Sequence, residues 1–200
     1  MNSADWDERY HTQELVWGAA PNRWVEQELS GLAPGRALDV ACGEGRNALW
    51  LAGLGWQVTA VDFSAAALEK ARTLASAQHT GSRVAWVQAD ATSYRPVTGM
   101  DLALLCYLQL AAEQRRAAVR AAAASLDPGG TLLVVAHDSA NLRNGTGGPQ
   151  DASVLYTAAD LTEDVDGAGL FIERADAVAR PVTGAERPAI DVLFRARRAA

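Results

Sequence analysis

Two glycines and an alanine follow an apolar segment, residues 37–41, at the spacing Gly43-x-Gly45-x-x-Ala48. The apolar segment is typical of a buried strand and residues 47–53 of a helix, so the glycines fall in the turn between the two. Glycine in such a turn permits unusual backbone angles and lets a ligand touch the main chain. The spacing therefore predicts a nucleotide-binding loop, with a plain tight turn as the alternative.

Two carboxylates help to decide which ligand such a loop binds. Asp39 lies inside the strand that leads to the loop. Its charge would repel a pyrophosphate but suits the cationic amino-acid end of S-adenosylmethionine. Asp62 ends the next predicted strand, residues 57–61, where a carboxylate accepts hydrogen bonds from both hydroxyls of a ribose. Because Asp62 fits NAD equally well, the distinction depends mainly on Asp39, and its alternative role is that of a capping or turn-stabilising residue.

Residues 37–71 resemble the cofactor-binding half of class I S-adenosylmethionine-dependent methyltransferases. The leader Trp6-Asp7-Glu8-Arg9-Tyr10, with Trp17-Gly18 and Pro21-Asn22-Arg23, resembles the small-molecule branch that includes tellurite-resistance-type and thiopurine-type methyltransferases. The resemblance runs from Trp6 to about Val135, and the later segments of the thiopurine branch find no match. It implies methyl transfer from S-adenosylmethionine to a sulfur, nitrogen, oxygen or chalcogen nucleophile of a small molecule.

The same resemblance implies roles for individual cofactor-binding residues. Asp39 would face the methionine amine and Asp62 would hold the ribose, while Gly43 and Gly45 would let the loop approach the cofactor. The other matching positions are Phe63 against the adenine face, Asp90 at the adenine amino group, Ala91 at the ring edge, and Cys106 and Tyr107 beside the methyl donor. The alternative for Asp90 is that of a turn residue at the end of a strand. Cys106 fits a buried core position better than a nucleophile, since this methyl transfer needs no covalent enzyme intermediate.

Three aromatic residues precede the first strand, where methyltransferases of this kind place a lid over cofactor and substrate. They are Trp6, Tyr10 and Trp17. An aromatic face stabilises a sulfonium cation by on the order of 1 kcal/mol or more when the pair is desolvated. The alternative is that these rings pin the leader to the core.

His137 is the candidate general base, because it follows the fifth predicted strand, residues 131–136. Ligands of open α/β sheets bind at the carboxyl ends of parallel strands. A thiol or chalcogen acceptor that is already ionised needs little help, whereas an oxygen or nitrogen acceptor usually needs a base within hydrogen-bond reach. A capping or loop histidine is the alternative.

Strand and helix patterns alternate from Arg36 onward, which predicts an α/β fold: a Rossmann-like three-layer sandwich around a mostly parallel seven-stranded sheet. The short link between the last two strands implies an antiparallel C-terminal hairpin. The remaining strands are expected at residues 84–87, 102–106, 171–178 and 190–197, and the helices at 65–77, 111–126 and 161–168, with a turn at 127–130. A single domain divides into a helical lid (1–35), a cofactor-binding core (36–136), and a substrate loop with the C-terminal strands (137–200).

The bulk composition narrows the class of partner. The 200 residues carry a formal net charge of -6, and no basic cluster is long enough for a nucleic-acid backbone. The sequence shows neither a signal peptide nor an apolar run long enough for a membrane span. Two distant cysteines predict free thiols in a reducing compartment, and so a cytoplasmic protein. We further expect a monomer or homodimer that acts on a small molecule, without a metal. An NAD(P)-dependent oxidoreductase and a non-catalytic S-adenosylmethionine-binding protein are the alternative functions.

Overall fold

The computed structural model describes residues 3–12, 15–16, 18–96 and 99–199. Trp17, one of the predicted lid aromatics, lies outside these ranges. Within them, no helix is both long and apolar enough to cross a membrane.

Seven strands form one sheet in the order β3-β2-β1-β4-β5-β7-β6. β7 runs antiparallel to both of its neighbours, β5 and β6, and the other pairings are parallel. The predicted α/β architecture with an antiparallel C-terminal hairpin is therefore confirmed. The strands are β1 Arg36–Val40, β2 Gln57–Asp62, β3 Val84–Gln88, β4 Met100–Cys106, β5 Leu126–His137, β6 Leu170–Arg180 and β7 Ala189–Arg198.

Helices cover both faces of the sheet. Near-continuous apolar strands such as β4 and β5 require this cover, because they are buried on both sides. One apolar cluster joins the sheet to α2 and α3, and a second joins it to α5 and α7. The helices are α1 Ser3–His11, α2 Arg23–Leu29, α3 Arg46–Gly53, α4 Ala65–Ala77, α5 Ala112–Ala124, α6 Asn141–Asn144 and α7 Ala158–Asp164.

The alternation of side chains along the strands decides which residues meet. On the face that packs against α2 and α3 lie Leu104, Val135 and Leu193. Successive side chains point to opposite faces, so a residue two positions from one of these shares its face. By this rule Cys106, His137 and Asp191 belong to the α2–α3 face, on the neighbouring strands β4, β5 and β7. Asp39 on β1 belongs to the same face, because it pairs with Leu104 of β4.

The turn predicted at residues 127–130 is wrong, because β5 begins at Leu126. Leu126 pairs with Met100 and Thr131 with Leu102, so the residues between them form an irregularity in the pairing. Gly129 has a left-handed φ of 80° there. A pair of glycines that usually marks a turn here permits a bulge within a strand.

The last helix also begins and ends earlier than the predicted residues 161–168. Thr157 and Asp160 form a reciprocal capping box, which starts α7 at Ala158. The glycines at 167 and 169 have φ values of 72° and 69° and lie beyond the end of the helix.

Candidate active site

The glycine loop connects β1 to α3, and its backbone is left-handed at three positions. Ala41, Gly43 and Gly45 have φ values of 58°, 55° and 80°. A Cβ atom on Gly45 would lie 2.5 Å from the Trp86 ring, so packing against β3 requires this glycine. A Cβ atom on Gly43 would lie 2.9 Å from the Tyr10 hydroxyl. Gly43 therefore faces the N-terminal helix, and Gly45 faces the protein interior.

Asp62 ties the end of β2 to this loop. Its Oδ2 accepts a hydrogen bond from the Gly43 amide at 2.8 Å, and its Oδ1 accepts one from the Ser64 amide at 2.9 Å. Burial raises the pKa of Asp62, although these amides act in the opposite direction. The carboxylate at the predicted ribose position thus also fixes the conformation of the loop.

Asp39 is buried without a satisfying partner. Its side chain is 1% exposed, and among the described residues neither carboxylate oxygen accepts a hydrogen bond of ordinary geometry. Burial raises the pKa of Asp39 to about 7, and the charge of Asp62 adds to the rise, whereas Arg46 and the Ala48 amide lower it. An unsatisfied buried carboxylate is costly, so this position fits a ligand that brings a cationic hydrogen-bond donor.

Helix α1 covers the loop from outside. The Asp7 carboxylate accepts hydrogen bonds from the Ser64 hydroxyl and, at 3.2 Å, from the Ala66 amide at the start of α4. Tyr10 is buried and stacks on Trp6, with the ring centroids 5.6 Å apart. The structure thus brings Tyr10 and Trp6 to the glycine loop, and their contact with a cofactor remains a prediction.

The predicted adenine-binding residues gather at the ends of β2 and β3. The Ala89 amide donates to the Asp62 carbonyl at 3.0 Å, which brings the two strand ends together beside half-buried Phe63. Asp90 is exposed, and its Oδ1 accepts from the Thr92 amide at 2.7 Å. Asp90 therefore closes a turn, with half-buried Ala91 inside that turn.

Cys106 and Tyr107 follow β4. Burial raises the pKa of the Cys106 thiol to about 11, so the thiol is protonated at neutral pH and is no nucleophile. Tyr107 has a left-handed φ of 60°, unusual for a residue with a side chain. This backbone turns its hydroxyl toward Asp191, to which it donates a hydrogen bond at 3.0 Å.

Asp191 is the site residue that the sequence reasoning missed. It is fully buried on β7, opposite His137 in the β5–β7 pairing. Its Oδ2 accepts hydrogen bonds from Tyr107 Oη at 3.0 Å, Trp24 Nε1 at 3.0 Å and Arg180 Nε at 2.7 Å. The available signal was a single acid within an apolar strand, which is rare unless the charge is paired.

His137 lies at the edge of this cluster. Its Nδ1 is 3.3 Å from Asp191 Oδ1, and its backbone amide donates to Gln109 Oε1 at 2.8 Å. The Tyr107 ring is 4.7 Å away, centroid to centroid. The predicted base is thus held beside a buried carboxylate, on the same face of the sheet as Asp39.

Comparison with known proteins indicates the kind of domain to which the glycine loop belongs. A family model described as a methyltransferase domain matches residues 37–130, from the start of β1 into β5. The match covers just under half of the chain, so residues 37–130 are similar to a methyltransferase domain. The dinucleotide alternative for the glycine loop is therefore not supported.

Relatives extend the similarity beyond the matched region. An uncharacterized methyltransferase of Mycobacterium tuberculosis is 36% identical over 109 residues, 54% of this chain and 53% of the relative. The match thus spans about half the length of this curated relative. A protein solved in connection with the conversion of a disulfide bond into a thioacetal group during echinomycin biosynthesis is 26% identical. It has a TM-score of 0.76, and the match covers 98% of this chain and 91% of that one.

The fold is also that of TehB from Haemophilus influenzae. That structure has a TM-score of 0.75 at 16% identity, and the match covers 96% of this chain and 67% of TehB. At this identity the likeness concerns the fold of the methyltransferase domain alone.

Proposed function

We propose that the protein transfers a methyl group from S-adenosylmethionine to a small-molecule acceptor. The observation that carries the proposal is the buried carboxylate of Asp39, unsatisfied by any described residue, at the end of β1 beside the glycine loop. A cationic amine placed there would supply both the charge and the hydrogen bonds that the carboxylate lacks. The methyltransferase relatives and the order of the strands support the same function.

Further residues would complete the cofactor site. Asp62 would hold the ribose with the carboxylate lone pairs that the Gly43 and Ser64 amides leave free. Phe63 and Ala91 would lie against the adenine, and Tyr10 and Trp6 would cover the site from α1. Trp17 has the same proposed role in the lid, although its position is not described.

The chemistry requires mainly alignment. When bound, S-adenosylmethionine supplies a methyl carbon already activated by a sulfonium. The chain would hold the acceptor in line with that carbon and keep water out, and α1 is placed to do the latter. Tyr107, directly after β4, and His137, the last residue of β5, would lie on the acceptor side of the site.

The division of the chain follows from this arrangement. Residues 1–35 would serve as a lid, 36–136 as the cofactor-binding core, and 137–200 as the source of the acceptor pocket. Cys42 and Cys106 are both free thiols, which supports a reducing cytoplasmic location. The acidic net charge of -6 supports a small molecule as the acceptor and disfavours nucleic acid. A monomer or a homodimer remains our prediction.

Isothermal titration with S-adenosylhomocysteine tests the cofactor assignment, with NADH as the control ligand. We expect micromolar binding of S-adenosylhomocysteine and none of NADH. Tighter binding of NADH would overturn the proposal. Mass spectrometry of acceptor mixtures incubated with S-adenosylmethionine then separates an enzyme from a non-catalytic binding protein, because only an enzyme produces methylated product.

A further inference from the structure

Two buried polar atoms face each other between β5 and β7. Among the described residues, neither His137 Nδ1 nor Asp191 Oδ1 has a hydrogen-bond partner of good alignment, and both are shielded from solvent. The two atoms lie 3.3 Å apart. A buried polar group without a partner is destabilising, so the separation favours donation from Nδ1 to Oδ1.

This pairing dictates the tautomer of His137. An ionised carboxylate is an acceptor only, so the histidine nitrogen that faces it must carry a proton. A lone pair on Nδ1 would instead point at the lone pairs of Asp191. In the neutral imidazole the proton therefore lies on Nδ1, and Nε2 retains its lone pair.

The charges around the pair keep Asp191 ionised. Burial alone would raise the pKa of Asp191, but the nearby His137 Nδ1, the hydrogen bonds from Arg180 and Trp24, and the charge of Arg180 hold it below its ordinary value. Tyr107 contributes a neutral hydroxyl, since burial and the charge of Asp191 raise the pKa of that phenol.

Three more of the described residues lie next to His137. Gln109 accepts a hydrogen bond from the His137 amide. The adjacent Asp138 uses its Oδ1 to accept from the Ala140 amide at 2.8 Å. Gly148 packs against the ring, because a Cβ atom there would be 2.9 Å from the Cγ and Cδ2 atoms of His137 and 3.0 Å from its Nε2.

The ring is therefore held between Asp191, Gly148 and the Tyr107 ring. The His137 side chain is 14% exposed, and since Nδ1 is shielded, that exposure belongs to other atoms. The two nitrogens of an imidazole point in diverging directions, so anchoring Nδ1 on Asp191 turns Nε2 away from it. His137 shares its sheet face with Asp39 and Cys106, the face on which the cofactor would bind.

We propose that Asp191 positions His137 as the general base of this methyltransferase, and that the acceptor is a weakly acidic hydroxyl or N–H group rather than a thiolate. The inference rests on the proposed function and names the acceptor class for the same site. A thiolate or telluride would need no base, and the buried Asp191 network would then have no use in the reaction.

The step balances as follows. The proton of the acceptor passes to His137 Nε2, and the freed lone pair of the acceptor atom forms the bond to the methyl carbon. The electron pair of the broken sulfur–carbon bond remains on the departing thioether sulfur. Asp191 stays ionised and stabilises the imidazolium, which later releases its proton to solvent.

Nitrogen NMR of the imidazole tests the positioning role without any substrate. Long-range proton–nitrogen spectra of the wild-type protein at a pH where the ring is neutral are expected to show a protonated Nδ1 and an unprotonated Nε2. Asp191→Asn is expected to shift the population toward the other tautomer. Asp176→Asn, which changes an exposed carboxylate on β6, is the matched control and should leave the spectrum unchanged. A protonated Nε2 in the wild-type protein would overturn the proposal even if Asp191→Asn fails to fold.

Turnover with catechol and with thiophenol tests the acceptor class. We expect methylation of catechol, with kcat lowered roughly 100-fold in His137→Gln, because a general base typically contributes that much or more. Affinity for S-adenosylhomocysteine should stay within about 2-fold. Methylation of thiophenol but not of catechol would overturn the base assignment and leave the methyltransferase proposal intact. Failure to bind S-adenosylhomocysteine would instead refute the proposed function.

Discussion

The buried carboxylate of Asp39 predicts that cofactor binding is coupled to proton release. Burial raises the pKa of Asp39 to about 7 in the free protein, whereas its ordinary value is 3.8. An amine cation placed against it would favour the charged form and lower that pKa. At acid pH the ligand must therefore displace a proton before the ion pair forms.

The size of the effect follows from the two protonation states. At pH 6 roughly one molecule in ten carries a charged Asp39, and at pH 8 roughly nine in ten do, given a pKa of about 7. Affinity for S-adenosylhomocysteine should therefore rise roughly 10-fold between pH 6 and pH 8, equivalent to about 1.4 kcal/mol. Asp39→Asn removes the titration, so affinity in that variant should be weaker and should not depend on pH in this range.

The same carboxylate makes the stability of the free protein fall with rising pH, whereas it makes the affinity for the cofactor rise. Because its folded pKa lies above its unfolded pKa, the native state binds the extra proton between about pH 4 and pH 7. The free energy of unfolding contributed by Asp39 therefore falls as pH rises through this window. Asp39→Asn should stabilise the free protein at pH 8, by up to about 4 kcal/mol.

Calorimetric titration in two buffers of different ionisation enthalpy measures the proton release directly, and urea unfolding measures the stability. About one proton should be released per ligand at pH 6 by the wild-type protein, and less by Asp39→Asn. Equal affinity and equal proton release in both proteins would show that Asp39 does not face the amine, and the reasoning about the loop would fail.

Three further substitutions test the elements around the site. Gly45→Ala should lower the free energy of unfolding by at least about 2 kcal/mol, because φ at this position is left-handed and the new methyl group meets Trp86. An unchanged urea midpoint would contradict this packing role. Asp7→Ala removes the hydrogen-bond acceptor of the Ser64 hydroxyl at the start of α4. Trypsin should therefore digest α1 faster, while the melting temperature changes little. Equal digestion rates would show that Asp7 does not hold α1 against α4. Asp164→Ala removes the buried carboxylate that pairs with Arg115 and Arg116, and among the described residues it leaves Arg115 only its 3.9 Å contact with Asp160 as an ion pair. It should cost about 3 kcal/mol in urea unfolding, and a loss under 1 kcal/mol would count against a stabilising pair.

The sequence by itself determined the elements of the proposed cofactor site. The apolar strands, the glycines and the acids at the strand ends are local patterns, and a parallel sheet brings the ends of neighbouring strands to one edge. Asp39 and Asp62 could therefore be placed near the loop before the structure was known. Backbone amides satisfy Asp62, whereas Asp39 has no hydrogen-bond partner among the described residues. This difference depends on burial and could not be predicted from the spacing.

Only the tertiary structure decided which residues meet at the proposed acceptor side. Asp191 meets His137 because β7 inserts between β5 and β6, and no local pattern states that pairing or its register. Gly45 has its packing role because Trp86 comes from β3, a strand separated from the loop by α3, β2 and α4. Local periodicity reports which residues are buried, whereas the identity of their neighbours depends on contacts between segments distant in the chain. These contacts arise only when the whole sheet assembles.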